Sequence, residues 1–211
     1  MTDPAPVTVT EAEPAAPEAD KVGTPGVQAT LERLFQLHPK LFGARFVPLK
    51  LGVFHDLMAR HPGVFSKDEL KAALGRHARS TRYLESVANG QPRHDLDGNP
   101  VEPVALDHVI HAIAEVHKRR QGRNPGEAAT WMSRRLLAAL SAAELTRAEF
   151  LERFGSNAEL AQAALQVFDE LAARAARRDA LRQAFQSSGV TVEAFAEMYG
   201  MDVGEARRSL Q

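Results

Sequence analysis

The spacing of apolar residues along the chain predicts a protein built mainly of amphipathic helices. From Val27, leucine and phenylalanine recur at intervals of three and four residues, which places them on one face of a helix. The pattern ends at His38-Pro39, because proline cannot continue the helical hydrogen-bond ladder. A second amphipathic segment runs from Gly52 to Arg60. Two helices joined by a proline-containing connection are therefore expected here.

Two serines mark the starts of further helices. Ser66 opens the sequence Ser-Lys-Asp-Glu, a capping box in which the serine hydroxyl accepts a hydrogen bond from the backbone N–H of Glu69. The helix that follows is expected to reach His77. Ser80 is the next candidate N-cap and predicts a short helix that runs through Val87.

Between Arg93 and Val101 the pattern favours a β-hairpin instead of a helix. The dipeptide Asp97-Gly98 is suited to a tight turn with positive φ, and apolar or aromatic residues flank it on both sides. Pro100 lacks a backbone donor, so the hairpin is expected to be small, with one strand at an edge.

A long helix is predicted from Leu106 or Asp107 to Gln121, and Gly122 with Pro125-Gly126 then marks a boundary. The rest of the chain is rich in alanine and predicts four or five more helices, with Thr146 and Thr191 as N-caps. The predicted fold is thus mostly α with one small β-hairpin, followed by an all-α C-terminal helical region.

Composition divides the chain into three parts. Residues 1–26 are acidic and proline-rich and contain no large aromatic residue, so they predict a disordered arm. Residues 27–123 hold fifteen Lys or Arg against ten acids, and residues 127–211 form the predicted helical C-terminal domain. The parts 1–26, 27–123 and 124–211 carry net charges of −4, +5 and −2, and all eight histidines lie in the middle part. A polyanionic partner is therefore expected at residues 27–123.

Several classes of chemistry find no support in the sequence. There is no cysteine, hence no disulfide framework and no thiol nucleophile, and this fits a reducing cytoplasm. No signal peptide or membrane-spanning stretch is recognised. His55-Asp56 resembles a base with its orienting carboxylate, yet no nucleophile accompanies it, and the histidines at 108, 111 and 117 lack a completing zinc ligand. We expect no enzymatic activity, no metal and no cofactor.

Four stretches of the middle part resemble the ProQ/FinO-type RNA chaperone domain of bacteria. They are PLKLGVFHDL at 48–57, LKAALGRHARSTRYL at 70–84, RHDLDGNPV at 93–101 and HVIHA at 108–112. The resemblance covers residues 27–122 and implies a FinO-like domain. It also implies an RNA chaperone of the cytoplasm that binds terminator-like hairpins with a 3′ single-stranded tail, found on small RNAs and mRNAs. Such proteins promote strand annealing or exchange and thereby regulate expression post-transcriptionally.

The resemblance and the physical chemistry of RNA together predict the binding residues. By position, the resemblance implies basic contacts at Lys50, Lys67, Lys71, Arg82 and Arg93, with Tyr83 beside them. RNA stems are gripped through phosphates and 2′-hydroxyls, which calls for cations and free backbone N–H groups. The helix start at Ser80, Thr81 and Arg82 is accordingly the predicted phosphate clamp, with Arg79 adjacent.

Two of these assignments leave alternatives open. Tyr83 is predicted either to contact RNA, by stacking on a terminal base or by bonding a ribose hydroxyl, or to lie in the core with its own hydroxyl bonded. Gly75 stands where the family has a basic residue, and Arg76 or Arg79 is the candidate to replace its charge.

Two alternative functions rest on the C-terminal region. Residues 192–210 have the spacing of a DNA-binding helix-turn-helix, which would make the protein a transcription regulator. The second helix of that motif carries mixed charge, which suits a phosphate backbone poorly. The other alternative is an adaptor that contacts a protein partner through residues 127–211.

Overall fold

The helices predicted from apolar spacing are present in the computed structural model, which describes residues 25–143 and 145–210. The elements in chain order are α1 (Pro25–Leu37), α2 (Pro39–Phe42), α3 (Val53–Arg60), α4 (Lys67–Ala78), α5 (Thr81–Ala88), β1 (Arg93–His94), β2 (Pro100–Glu102), α6 (Leu106–Gln121), α7 (Pro125–Ser141), α8 (Arg147–Phe154), α9 (Ala158–Ser188), α10 (Val192–Met198) and α11 (Val203–Leu210). The mostly helical fold class with a single small hairpin is confirmed for the described residues.

The predicted disordered arm falls largely outside the described residues, since only its last two residues, Pro25 and Gly26, are among them. Both belong to α1. Sequence patterns also missed α2, a four-residue helix that starts directly after α1. Pro39 occupies its first position, where the missing backbone donor costs nothing, so the proline that ends one helix begins the next.

The predicted caps are found at four helix starts. The side chains of Ser66, Ser80, Thr146 and Thr191 each accept a hydrogen bond from a backbone N–H in the first turn. At Ser66 the second half of the predicted capping box differs, because the Ser66 hydroxyl itself donates to the Glu69 carboxylate at 3.0 Å. The serine thus fixes both the backbone and the side chain of Glu69.

The hairpin is short and is extended by a third segment. β1 and β2 pair antiparallel, with Arg93 opposite Glu102, and the Asp95 carboxylate accepts from the backbone N–H of Asp97 and of Asn99 in the turn. Leu49 forms a parallel bridge to His94 on the other side of β1. The segment Pro48–Leu51 is therefore held against the hairpin as a strand-like edge.

One buried apolar cluster extends from α1 to α9. Leu34 and Ile113 from the first part share it with Trp131, Leu136 and Phe150 from the alanine-rich part. Helix α7 packs along α6, and the cluster includes residues on both sides of the boundary expected at 122–126. The division into an RNA-binding domain at residues 27–123 and a helical C-terminal domain at 127–211 stays a prediction. None of the described helices combines the length and apolar character that a membrane span requires.

Candidate nucleic-acid interface

Leu49 is the point at which three sequence-predicted residues meet. Its backbone N–H donates to the Tyr83 hydroxyl at 3.1 Å, and its carbonyl accepts from Nη1 of Arg93 at 2.9 Å. The neighbouring Lys50 donates its backbone N–H to the carbonyl of His94 at 2.8 Å. Tyr83 and Arg93 thus fix both backbone groups of one residue in the Pro48–Leu51 segment.

Tyr83 lies in the core and does not offer its ring for base stacking. The residue is 8% exposed, and its ring packs edge-on against that of His77 at 5.2 Å. Tyr83 therefore takes the core position in the structure, in the first turn of the helix that Ser80 caps. The stacking role predicted for Tyr83 does not fit this burial.

Arg93 is also more enclosed than a phosphate contact requires. It is 9% exposed, and besides Leu49 its guanidinium bonds Nδ1 of His108 at 2.9 Å. Glu102, opposite it in the hairpin, lies 3.9 Å away. A direct contact of Arg93 with RNA stays a prediction, and in the structure its guanidinium is engaged within the protein. Its donors are occupied because strand β1 faces the Pro48–Leu51 segment, a pairing that the sequence did not reveal.

The start of α5 presents the predicted clamp residues outward. Thr81 and Arg82 are exposed, and as the first residues of the helix their backbone N–H groups have no partner within it. The side-chain oxygen of Ser80 is occupied by the helix cap, in which it accepts a hydrogen bond from the Tyr83 N–H at 3.3 Å. Arg82 forms no ion pair with any carboxylate that the structure describes. Exposed donors beside an uncompensated cation suit a phosphate oxygen.

A row of cations runs along α4 toward that helix start. Lys67 and Lys71 are exposed one turn apart, and neither contacts a carboxylate among the described residues. Gly75 occupies the next position in the row, one turn after Lys71. Nη1 of Arg79 lies 3.2 Å from the position that a Cβ on Gly75 would take. The Arg79 guanidinium thus lies beside Gly75, where the charge expected from the resemblance is missing. The row spans about 18 Å along the helix axis at about 1.5 Å per residue.

Lys50 differs from the other predicted cations because a carboxylate compensates it. Its ammonium bonds Asp56 at 2.9 Å, and that hydrogen bond raises the pKa of Lys50. Asp95 and Glu102 add smaller effects in the same direction. Asp56 is the carboxylate that resembled an orienting group for His55 in the sequence, and in the structure it serves Lys50. The predicted residues therefore form two sets. Lys50, Tyr83 and Arg93 meet at Leu49, whereas Lys67 and Lys71 lie along α4, and the described contacts do not join these two lysines to Leu49.

Arg119 belongs to this surface although the sequence did not single it out. Its Nη1 donates to the carbonyl of Arg79 at 2.8 Å and to the hydroxyl of Thr81 at 3.2 Å. It lines a cleft of about 410 Å³ between α5, α6 and α7, together with Arg120 and Arg123. The run Lys-Arg-Arg that closes α6 was the available signal. It carried little weight because cations are common in the last turn of any helix.

Two of the three histidines that resembled zinc ligands, His108 and His117, are engaged separately. His108 bonds Arg93, while Nε2 of the buried His117 lies 3.5 Å from the Glu159 carboxylate. Within the described residues, no group of three or more metal-ligating side chains comes together. The arrangement offers hydrogen-bond donors and positive charge and is suited to binding a polyanion.

Comparison of the chain with known proteins identifies the family of the part that carries this surface. The ProQ/FINO family profile matches residues 25–129. Residues 25–129 belong to the ProQ/FINO family. The match includes the whole of the cation row and extends into the first turns of α7, a few residues beyond the boundary expected from the sequence.

Relatives in the family carry the name RNA chaperone ProQ. The protein of Shewanella oneidensis is 38% identical over 97 residues, which are 44% of this chain and 46% of the relative. That of Shewanella amazonensis is 40% identical over 90 residues, 41% of each chain, and that of Aliivibrio salmonicida is 41% identical over 75 residues, 35% and 36% of the two chains. This chain therefore spans less than half the length of the ProQ relatives it matches.

Two solved structures are similar to part of this chain. A FinO-like RNA chaperone from Neisseria meningitidis has 27% identity and a TM-score of 0.37, with 41% of this chain and 88% of that chain covered. A ProQ homolog from Legionella pneumophila has 26% identity and a TM-score of 0.38, with 50% and 92% covered.

The C-terminal helix-turn-helix candidate shows internal pairing. Arg207 of α11 bonds Glu193 of α10 at 2.8 Å, and the Asp202 carboxylate accepts from the first backbone N–H groups of α11. A carboxylate thus occupies the end of the helix that would approach DNA. Neither this geometry nor the comparisons support the DNA-binding alternative.

Proposed function

We propose that this protein is an RNA chaperone of the cytoplasm that binds 3′-terminal stem-loops of small RNAs and mRNAs. It acts without a cofactor and without covalent chemistry, and it promotes strand annealing or exchange in post-transcriptional regulation. The observation that carries the proposal is the row of uncompensated cations from Lys67 through Lys71 and Arg79 to Arg82, within the part that belongs to the ProQ/FINO family.

The row and the α5 start have complementary roles in this proposal. Lys67, Lys71 and Arg79 contact phosphates of the stem, whose A-form helix hides its base edges from side chains. The backbone N–H groups of Thr81 and Arg82 receive a phosphate at the 3′ end. Tyr83 and Arg93 act indirectly, by fixing the Pro48–Leu51 segment that carries Lys50.

The test is a binding comparison with three probes at several salt concentrations. They are a hairpin with a U-rich 3′ tail, the same hairpin without the tail, and duplex DNA of equal length. We expect the tailed hairpin to bind most tightly. Equal binding of all three probes would contradict the proposal.

A charge-matched pair of variants locates the interface. Lys67→Ala/Lys71→Ala/Arg82→Ala removes three uncompensated cations, and the slope of log affinity against log salt is expected to fall by about 2 to 3. Arg134→Ala/Arg147→Ala/Arg207→Ala removes the same charge from exposed positions on α7, α8 and α11. That control should leave hairpin affinity within about twofold because its positions lie outside the cation row, and losing the exposed ion pairs of Arg147 and Arg207 should cost little stability.

A further inference from the structure

The C-terminal end of the chain has a small core of its own. Phe195, Ala196 and Ala206 of α10 and α11 are each no more than 1% exposed and lie outside the cluster that runs from α1 to α9. Phe185 of α9 packs edge-on against Phe195 at 5.3 Å. The two short helices are thereby fixed on the last turns of α9.

A positively charged cleft of about 780 Å³ lies where α9 meets these helices. Its charged lining consists of three arginines of α9, at 174, 177 and 178, and a single carboxylate, Glu205. Arg174 pairs with Glu170, one turn earlier on the same helix. Arg177 and Arg178 are exposed, and no carboxylate of the described chain pairs with either. The cleft therefore retains positive charge although residues 124–211 are acidic overall.

An aromatic side chain shares the cleft with these arginines. The ring of Tyr199 stacks on buried Phe195, with centroids 4.4 Å apart and planes inclined by 27°, yet Tyr199 is 49% exposed. Proteins that bind single-stranded nucleic acid without strict sequence preference combine a cationic groove with such supported aromatic rings. An acidic peptide would use the charge but would leave the aromatic ring without a matching partner.

We propose that this cleft binds a second RNA in single-stranded form, with Arg177 and Arg178 on its phosphates and Tyr199 stacked on a base. Its consequence for annealing rests on the proposed function, in which the cation row of α4 and α5 holds a hairpin. One chain then holds two RNAs, and the second encounter proceeds at the effective concentration set by their common attachment. The cleft gives the C-terminal helices a role in strand annealing.

The test uses the full chain with its hairpin site saturated. Unlabelled tailed hairpin is added at one equivalent and at a concentration well above its Kd, so that no free tail remains to occupy the cleft. A fluorescein-labelled 12-nucleotide RNA without secondary structure or complementarity to the hairpin is then titrated by anisotropy. We expect the wild type to bind this probe. Arg177→Ala/Arg178→Ala should weaken that binding at least tenfold and reduce its salt slope by about 1.4. Hairpin affinity, measured separately, should be unchanged.

Arg134→Ala/Arg182→Ala is the matched control, because it removes two arginines of α7 and α9 that do not line the cleft. Circular dichroism of both variants checks that the helices are retained. The inference is overturned if the saturated wild type does not bind the 12-mer, if the Arg177/Arg178 variant binds it as the wild type does, or if duplex DNA displaces it better than unlabelled single strands do. Failure of the hairpin itself to bind would instead count against the proposed function.

Discussion

The hydroxyl oxygen of Tyr83 accepts a hydrogen bond from the backbone N–H of Leu49 at 3.1 Å, in the interior of the protein. The two residues are 34 positions apart, and their bond ties the first turn of α5 to the Pro48–Leu51 segment. Because Arg93 bonds the carbonyl of the same residue, both backbone groups of Leu49 depend on side chains from other elements. The Tyr83–Leu49 bond therefore links the stability of the fold to the shape of the proposed RNA surface.

Tyr83→Phe is expected to reduce the free energy of unfolding by about 1 to 3 kcal/mol, because it leaves a buried N–H without a partner. Urea denaturation followed by circular dichroism measures this loss. Hairpin binding should also weaken, since the Pro48–Leu51 segment loses one of its anchors. A variant with wild-type stability would show that the hydrogen bond is dispensable.

Arg93→Lys is expected to destabilise the protein by a similar amount, about 1 to 3 kcal/mol, since one ammonium cannot replace a guanidinium that bonds both Leu49 and His108. A double-mutant cycle with His108→Ala separates the two bonds. A coupling energy above about 0.5 kcal/mol is expected for residues in contact. Additive effects of the two substitutions would contradict the contact.

Lys71→Ala is expected to weaken hairpin RNA binding several-fold and to lower its salt slope by about one, with no change in the unfolding midpoint. Lys118→Ala on α6 is the control, because Lys118 is also exposed and its ammonium pairs with no carboxylate that the structure describes. Binding titrations at 50 and 200 mM salt measure both effects. Equal losses for the two lysines would mean that net charge alone determines affinity.

His77 is expected to make stability depend on pH. Burial lowers its pKa from 6.5 to about 4, so between these values the unfolded chain binds a proton that the folded protein does not. The free energy of unfolding should then decline as pH falls from 6.5 to 4, by about 3 kcal/mol, and change no further from this group below pH 4. Urea denaturation at half-unit pH intervals measures the slope.

His77→Phe tests the assignment, because the ring contacts Phe42, Phe46 and Tyr83, and Nε2 has no hydrogen-bond partner among the residues that the structure describes. The variant should lose most of the decline in stability between pH 6.5 and 4 while keeping the fold. A decline as steep as that of the wild type would assign the pH dependence to other groups.

Some features of the molecule could be predicted from the sequence and others could not, because some depend on neighbouring residues and others on distant ones. Ser66, Ser80, Thr146 and Thr191 were identified correctly as N-caps, because a cap depends on atoms within four residues of sequence. The replacement of the charge missing at Gly75 by Arg79 stays a prediction, although Nη1 of Arg79 lies 3.2 Å from the Cβ position of Gly75, one turn earlier in the chain. The contact of Arg119 with Thr81 joins residues 38 positions apart, and no local pattern signals it.

The sequence by itself determined the helices other than α2, the hairpin and the position of the excess positive charge, because helix periodicity, turn chemistry and capping are properties of short segments. Only the tertiary structure decided which polar side chains face solvent. In the sequence, Tyr83 and Arg93 belong to the same basic stretches as the cations that the structure exposes. They are nevertheless buried, because the Pro48–Leu51 segment passes beside β1 and needs partners for its backbone. That pairing depends on the meeting of distant segments, which periodicity does not encode.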